Sequence, residues 1–228
     1  MNSEFLQSLD TPATVTFGRP GLLVMDVDAT LIDEEVIDEL GEAAGLGARI
    51  SAITARAMNG ELDFEQALRE RVALLEGLPV SVFDDVYERL HFTRGALELI
   101  DVLHGHGWHV GVVSGGFHSI VDRLAERAGL DHWIANRLGV ADGTLTGTLD
   151  GPIITKDVKL RSLHAWAHEA GIPLEQTIAV GDGANDLPMI THAGLGVAFC
   201  AKPAVRAQAP YTVDERDLMR VLDFVRQD

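Results

Sequence analysis

Two aspartates stand two residues apart near the start of the chain, in the segment DVDAT at residues 26–30. They follow the nearly all-apolar run 21–27, whose pattern predicts a strand buried on both faces of a parallel sheet. Open α/β sheets bind ligands at the carboxyl ends of their strands, which is where Asp26 and Asp28 fall. One carboxylate there can ligate a hard cation and attack phosphorus, while the second moves a proton to a departing alkoxide. A solvated, Asp-rich turn is the plain alternative.

A second acidic motif, GDGAND at residues 181–186, follows the apolar run 177–180. Its two glycines let the backbone turn sharply, and Asp182 and Asp186 offer oxygen ligands of the kind that Mg²⁺ binds. It is not a dinucleotide-binding fingerprint, because Asp186 replaces the third glycine of G-x-G-x-x-G. The five specified positions of G-D-G-x-N-D are rarer by chance than the three of D-x-D-x-T, so a plain turn explains this motif less well.

A small anion-binding segment is predicted between these motifs. Ser114 precedes Gly115 and Gly116 after the apolar run 108–113. A hydroxyl followed by two glycine N–H groups at a helix start forms a nest suited to phosphoryl oxygens. A nucleophilic serine in a G-x-S-x-G turn is excluded, because the first position is Val112. A plain turn between strand and helix stays open.

A lysine completes the candidate set. Lys159 lies near the start of the helix that precedes the GDGAND strand. Its compact positive charge can compensate clustered carboxylates and bind a phosphoryl oxygen. By composition, Lys156 is an equal candidate.

These motifs must be positioned by alternating strands and helices. Short apolar runs predict strands at 21–27, 108–113, 177–180 and 195–199, and apolar spacings of three and four predict helices at 96–103, 119–128 and 160–170. The alternation predicts an α/β protein with a doubly wound, mostly parallel sheet. Residues 136–149 add a small β-hairpin around an Asp-Gly turn.

Residues 33–90 interrupt the alternation with consecutive helices. Asp63 and Gln66 form the pattern of a capping box, and Ser81 marks another helix start. An insertion of this kind is most simply a helical cap. The sequence therefore predicts an N-terminal arm at 1–20, an α/β core at 21–32 and 91–228, and a cap domain at 33–90.

The charge balance excludes partners that are themselves polyanions. The 228-residue chain has 35 acidic and 18 basic side chains, a formal net charge of −17 at pH 7. Such a chain repels nucleic acid and anionic membranes, although a locally cationic pocket can still bind a small anion. The single cysteine, Cys200, forbids an internal disulfide and suits a reducing compartment. With no signal-peptide pattern and no apolar span, we expect a cytoplasmic protein.

In chain order, DVDAT, SGG at 114–116, Lys159 and GDGAND resemble the four motifs of the haloacid dehalogenase superfamily. More narrowly, VSGGF at 113–117, ANRL at 135–138 and VAFCAKP at 197–203 resemble the phosphoserine phosphatase family. The resemblance spans about residues 22–225. It implies a capped α/β core, Mg²⁺ as cofactor, and phosphoryl transfer through an aspartyl-phosphate.

The resemblance also implies a role for each acidic residue. Asp26 would be the nucleophile, and Asp28 would protonate the serine leaving group and then activate water. The side chains of Asp26 and Asp182 and the backbone carbonyl of Asp28 would hold Mg²⁺, with Asp186 supporting the metal shell. Asp28 argues against a true dehalogenase, because halide leaves without a proton.

The transferring phosphoryl group would be held by Ser114, Gly115 and Lys159, and Asn185 would touch the substrate or the phosphate. A metal ion together with a lysine neutralises charge on the equatorial oxygens, so that two anions can meet. The physical logic therefore agrees with the implied roles.

Four residues of the predicted cap match substrate positions of the family. Glu35 and Arg71 match positions that clasp the substrate's ammonium and carboxylate, and Met58 and Phe64 match positions that line the same pocket. An acid and an arginine suit a zwitterionic amino acid, because arginine can clamp a carboxylate through two hydrogen bonds. Without the resemblance, all four would be ordinary helix residues.

The chain departs from the family pattern at two positions, with Ala29 where a serine is common and Arg94 where a proline is common. The lead before the first strand is also too short for the regulatory amino-acid-binding domain of some relatives. The leading hypothesis is Mg²⁺-dependent hydrolysis of phosphoserine, the last step of serine biosynthesis. Two alternatives stay open: a phosphatase or phosphotransferase for another small phosphometabolite, such as phosphohomoserine, and a non-catalytic phospho-ligand sensor.

Overall fold

The central strands of the sheet come from nearly all-apolar segments of the chain. A computed structural model, which describes residues 15–58 and 60–227, forms a seven-stranded sheet in the order β4-β3-β2-β1-β5-β6-β7. The strands are β1 Leu22–Met25, β2 His109–Phe117, β3 His132–Ala141, β4 Thr144–Asp150, β5 Thr177–Gly181, β6 Leu195–Phe199 and β7 Tyr211–Val213. Every residue of β1, β5 and β6 is buried, and β5 pairs in parallel with both neighbours, as expected for strands covered on two faces. The predicted α/β fold with a mostly parallel sheet is confirmed.

Helices occupy most of the chain between the strands. Within the described residues they are α1 Val36–Ala43, α2 Gly47–Met58, α3 Phe64–Ala73, α4 Val82–Tyr87, α5 Ala96–Gly105, α6 His118–Ala128, α7 Lys156–Glu169, α8 Leu187–His192 and α9 Pro203–Arg206. A tight turn at Val27–Leu31, in which the backbone of Asp28 and Ala29 is not helical, and two 3₁₀ helices, Leu174–Gln176 and Leu218–Phe224, lie outside these helices. Helix α7 begins earlier than the predicted residue 160, so Lys159 lies in its first turn. Across the described ranges, none of these helices has the length and apolar character needed to cross a membrane.

The chain divides into two compact units, each of which combines separate segments of the sequence. The first contains β1, Arg94–Gly111 and the chain from Lys156 onward, and the second contains Asp26–Thr93 and Val112–Thr155. Each unit carries part of the predicted motif set. DVDAT and SGG belong to the second unit, and Lys159 and GDGAND belong to the first.

A buried glutamine anchors the start of the described chain in the first unit. Gln176 is fully buried, and its Nε2 donates to the carbonyls of Thr16 and Arg19 at 2.6 and 3.1 Å. Thr16 also forms a parallel bridge with Arg226. Residues 1–14 of the predicted N-terminal arm lie outside the described residues, and the end of that arm is fixed by these hydrogen bonds.

The second unit contains residues 33–90, here called the cap segment, and helices α1 to α4 fall within it. Asp63 caps α3 in the predicted box, with reciprocal hydrogen bonds to Gln66. The helix start predicted at Ser81 is confirmed, because α4 begins at the next residue, although the Ser81 side chain makes no capping hydrogen bond. The boundaries of the cap segment as a separate domain stay a prediction.

The predicted β-hairpin is formed by β3 and β4, which pair in antiparallel fashion. Asp142 and Gly143 close it with φ angles of 50° and 77°, the positive values of a type I′ turn. The chain that follows α3 pairs with this hairpin, because the Gly77 N–H donates to the Leu145 carbonyl at 2.9 Å and the Leu145 N–H donates to the Leu78 carbonyl at 2.8 Å. The hairpin therefore extends backbone hydrogen bonding into the cap segment.

Candidate active site

Asp26 and Asp28 occupy the turn that follows β1. Asp26 is buried, and its Oδ1 accepts a 2.8 Å hydrogen bond from the Val27 N–H. Asp28 Oδ1 accepts from the N–H of Val36, the first residue of α1, at 2.7 Å, and its Oδ2 accepts from Ser114 Oγ at 3.2 Å. The proposed acid is therefore held by the cap segment on one oxygen and by β2 on the other.

The turn between β1 and α1 passes through a left-handed backbone conformation at Ala29. Its φ is 53°, and its N–H donates to the Glu34 carbonyl at 3.1 Å. This conformation costs a residue with a Cβ about 1–2 kcal/mol. The departure from the family pattern at position 29 thus falls on a residue whose backbone shapes the turn that returns the chain to α1.

Ser114, Gly115 and Gly116, here called the SGG segment, form the end of β2. The sequence predicts this segment at the start of a helix. The structure places it in β2 instead, because α6 begins only at His118. The Gly116 N–H donates to Ser114 Oγ at 2.8 Å. A Cβ on Gly116 would lie 2.9 Å from Asp28 Oδ2 and 3.0 Å from Ser114 Oγ, so any larger residue here would force one of these side chains to move.

A buried ion pair links Lys159 to the GDGAND motif. Both side chains have no exposed area, and Lys159 Nζ lies 2.7 Å from Asp186 Oδ1. Asp186 Oδ2 accepts from the Gly183 N–H at 3.0 Å, and a Cβ on Gly181 would collide with the Asp186 side chain. Lys156 is exposed, so burial separates two lysines that composition could not.

Three aspartates form a candidate metal site. Asp26, Asp182 and Asp186 each offer a carboxylate oxygen, and these oxygens lie within 4.8 Å of one another. Hard oxygen donors of this kind fit Mg²⁺ or a similar cation, whereas a softer metal would favour sulfur or imidazole ligands. Asn185, in the same motif, is half-buried. The side chain of Asp28 does not belong to this group, which is compatible with the implied role of its backbone carbonyl.

Arg71 lies in the last turn of α3 among several acids. Its Nε donates to the Ala67 carbonyl at 3.3 Å. Burial lowers the pKa of Arg71 by removing water from the guanidinium, and the charges of Asp38, Glu35 and Asp28 oppose that shift. An arginine guanidinium is not deprotonated in proteins, so Arg71 is a cation with acidic side chains near it.

The other predicted substrate residues also lie in the cap segment. Glu35 is exposed and precedes α1 without a side-chain capping hydrogen bond, so no local capping role accounts for its carboxylate. Phe64 is 40% exposed, and its Cζ would lie 3.6 Å from a Cβ on Gly115, so its ring is close to the SGG segment. The side chain of Met58 lies outside the described part of the chain.

Sequence reasoning assigned no role to two residues that the structure brings to these groups. Among the acids near Arg71, Asp38 does most to raise its pKa, and the sequence signal for Asp38 is its position about one helical turn after Glu35. Asn136 donates from Nδ2 to the Gly115 carbonyl at 2.8 Å. It stands in the ANRL motif, but its type alone does not indicate which backbone groups it contacts.

The family model described as haloacid dehalogenase-like hydrolase matches residues 23–191. The chain belongs to the haloacid dehalogenase-like hydrolases. It is 62% identical to the phosphoserine phosphatase of Streptococcus thermophilus over 90% of this chain and 95% of that protein. It is 44% identical to the phosphoserine phosphatase of Methanocaldococcus jannaschii over 90% of this chain and 97% of that protein.

Solved structures agree with these sequence relatives. A substrate-bound phosphoserine phosphatase complex has a TM-score of 0.86 and 43% identity, covering 91% of this chain and 99% of the other. A phospho-aspartyl intermediate analogue of phosphoserine phosphatase has a TM-score of 0.85 and 43% identity, covering 91% of this chain and all of the other. The predicted family and its hydrolase class are therefore confirmed.

Proposed function

We propose that this hydrolase cleaves O-phospho-L-serine to L-serine and phosphate. The proposal rests on the two hydrogen bonds of the Asp28 carboxylate. It accepts one from the Val36 N–H at the start of the cap segment and one from Ser114 Oγ in the SGG segment. This arrangement joins a proton-transfer group to the elements proposed to bind the phosphoryl group and the amino acid. The relatives and structural neighbours that carry the name phosphoserine phosphatase support the same activity.

The reaction runs in two displacements. An Asp26 carboxylate oxygen attacks phosphorus, the ester P–O bond breaks, and Asp28 gives its proton to the serine oxygen as it leaves. Asp28 then takes a proton from water, whose oxygen attacks the aspartyl-phosphate, and Asp26 is released together with phosphate. Ser114, Gly115 and Lys159 hold the phosphoryl oxygens during both steps, and Asn185 contacts the substrate or phosphate.

Mg²⁺ is the proposed cofactor. Asp26 and Asp182 would hold it with their side chains and Asp28 with its backbone carbonyl, and Asp186 would support that shell. When bound, the ion supplies positive charge beside the phosphoryl oxygens. Lys159 keeps a positive charge next to Asp186 without solvent, so its contribution is little screened.

The cap segment is proposed to select the amino acid. Arg71 would clamp the substrate carboxylate, and Glu35 would accept hydrogen bonds from its ammonium group. Phe64 and Met58 would line the pocket beside the SGG segment. A small metabolite is the proposed partner, with no nucleic acid or membrane involved, and the single Cys200 supports a proposed cytoplasmic location.

Phosphate release from a panel of phosphomonoesters tests this function. With Mg²⁺, phosphoserine should have a kcat/KM about 10- to 100-fold above phosphothreonine and phosphohomoserine, since one methyl or methylene group discriminates by that factor. Chelation by EDTA should remove the activity, and added Mg²⁺ should restore it. Asp26→Asn should reduce phosphate release by at least about 10³-fold, because it removes the nucleophile.

Three outcomes would contradict parts of the proposal separately. A preference for phosphohomoserine would agree with the proposed chemistry but contradict the proposed substrate. Full activity in EDTA would contradict the proposed metal requirement. Binding of phosphoserine with no turnover of any ester would favour a phospho-ligand sensor.

A further inference from the structure

Asn136 bridges two backbone segments with its buried side chain. Its exposed fraction is 1%, and its Nδ2 donates to the Gly115 carbonyl at 2.8 Å. Its Oδ1 accepts from the Ile154 N–H, also at 2.8 Å. The amide therefore uses a donor at one end and an acceptor at the other, both toward backbone groups.

The Gly115 carbonyl is one end of a peptide unit whose other end is the Gly116 N–H. That N–H donates to Ser114 Oγ at 2.8 Å, and Ser114 Oγ donates to Asp28 Oδ2 at 3.2 Å. The peptide plane is thus fixed from both ends, by Asn136 on the oxygen and by Ser114 on the hydrogen. A continuous series of hydrogen bonds runs from Asn136 to the proposed general acid.

The backbone beside Asn136 is held independently of its side chain. The Ala135 N–H donates to His118 Nε2 at 3.2 Å, and His118 Nδ1 lies 2.6 Å from Asp122 Oδ1. Trp133 Nε1 donates to the same carboxylate oxygen at 2.8 Å. Because these contacts join the start of β3 to α6, loss of the Asn136 amide should release the SGG segment locally and leave the strand in place.

We propose that Asn136 is a positioning residue that orients the SGG segment for phosphoryl binding. This inference rests on the proposed function and extends it to a residue that touches neither substrate nor metal. Only an amide side chain of this length can both donate to the Gly115 carbonyl and accept from the Ile154 N–H. Aspartate loses the donor toward Gly115, and an apolar residue loses both hydrogen bonds and leaves a buried carbonyl and N–H without their partner.

Asn136→Asp is the sharpest test, with Gln176→Glu as its matched control. Both substitutions replace a buried amide that donates to backbone carbonyls by a carboxyl group, but Gln176 holds the segment at Thr16 and Arg19. Asn136→Asp should lower kcat for phosphoserine by about 10- to 100-fold, the effect typical of an outer residue that orients a site. Gln176→Glu should lower the Tm and leave kcat and KM within about twofold.

Two further readouts separate positioning from general damage. Inorganic phosphate, added with Mg²⁺, should raise the Tm of the wild type and of Gln176→Glu but raise that of Asn136→Asp much less. The kcat of Asn136→Asp relative to wild type should increase as the pH falls from 8 to 5.5. A buried carboxyl takes up its proton above its ordinary pKa and then regains a donor for Gly115.

The proposal is overturned if Asn136→Asp retains kcat within about twofold, or if its relative kcat is independent of pH while both variants lose activity in proportion to Tm. If Asn136→Asp does not fold, Asn136→Ala takes its place, and an unchanged phosphate-induced Tm shift in that variant would equally overturn the proposal. Failure of the wild type to hydrolyse phosphoserine would refute the proposed substrate instead, because the phosphate measurement does not depend on it.

Discussion

Two pairs of candidate site residues are held in contrasting ways. Lys159 and Asp186 form an ion pair with no exposed area. Asp28 is half-buried and is held by a neutral hydroxyl, Ser114 Oγ, and by the backbone N–H of Val36. The first pair sets charge in a fixed place, because separating buried opposite charges is costly. The second can exchange partners, since a hydroxyl proton given to Asp28 can be given to a phosphoryl oxygen instead.

The difference indicates how such a site combines stability with turnover. In the proposed reaction, positive charge has to be present before, during and after phosphoryl transfer, and the buried pair with Asp186 would hold Lys159 in place for it. Proton transfer needs the opposite, a carboxylate whose partners change between the two steps. Substitutions in the buried pair should therefore affect folding most, and those in the exchangeable pair should affect it less.

Replacing Lys159 should have the largest effect on stability. Lys159→Met leaves the Asp186 carboxylate in a buried position without its lysine, which should lower the free energy of unfolding by about 3–5 kcal/mol. Urea denaturation followed by circular dichroism measures this change. The exposed Lys156→Met is the control and should stay within about 0.5 kcal/mol of the wild type. A loss below about 1 kcal/mol in Lys159→Met would show that the buried pair is not a fixed scaffold.

A methyl group in the SGG segment should have an intermediate effect. Gly116→Ala places a Cβ 2.9 Å from Asp28 Oδ2, so the exchangeable pair has to shift. Overpacking of this kind costs about 1–3 kcal/mol in the free energy of unfolding. Gly115→Ala is the matched control, because its Cβ would meet Phe64 Cζ at an ordinary 3.6 Å. Equal unfolding free energies for the two variants would contradict the crowding at Gly116.

The smallest effect on stability is expected for an exposed ion pair, in contrast to the fully buried pair of Lys159 and Asp186. His91 Nδ1 lies 2.8 Å from Glu34 Oε1, and the His91 side chain is 72% exposed. The hydrogen bond with Glu34 is the main cause that raises the pKa of His91 above its ordinary value. A raised pKa means that the pair stabilises the fold below about pH 6.5 and that this contribution is lost as the pH rises through the folded value.

Thermal denaturation across pH checks that sign. The Tm of the wild type should exceed that of His91→Gln by a small margin at pH 5.5 and match it at pH 8.5. High salt should reduce the margin at pH 5.5, because exposed charges are screened. A margin that grows with pH would contradict the assignment.

The fold and most candidate residues could be predicted because their signals are local. Apolar runs defined β1, β5 and β6, and the capping box at Asp63 was readable from residue types three apart. Side chains at strand ends, such as Asp26, followed from the general placement of ligands on α/β sheets.

The remaining features depend on contacts between distant segments. The role of Asn136 requires knowing that β3 places it against the Gly115 carbonyl, twenty-one residues earlier. Composition did not distinguish Lys159 from Lys156, and the family resemblance selected Lys159; the folded chain buries Lys159 and leaves Lys156 exposed. Ser81 marks the start of α4 as expected but makes no capping hydrogen bond, since residue type allows such a bond and does not ensure its geometry.

The pairing of the β-hairpin with the chain after α3 also determines how the cap segment can be observed. The N–H groups of Gly77, Val80 and Leu145 all donate across this junction, at 2.9, 3.0 and 2.8 Å. Separation of α3, with Arg71 on it, from the hairpin would break all three bonds at once. Deuterium uptake at these amides is therefore a direct gauge of such opening, and it can be followed in the same sample with and without phosphoserine.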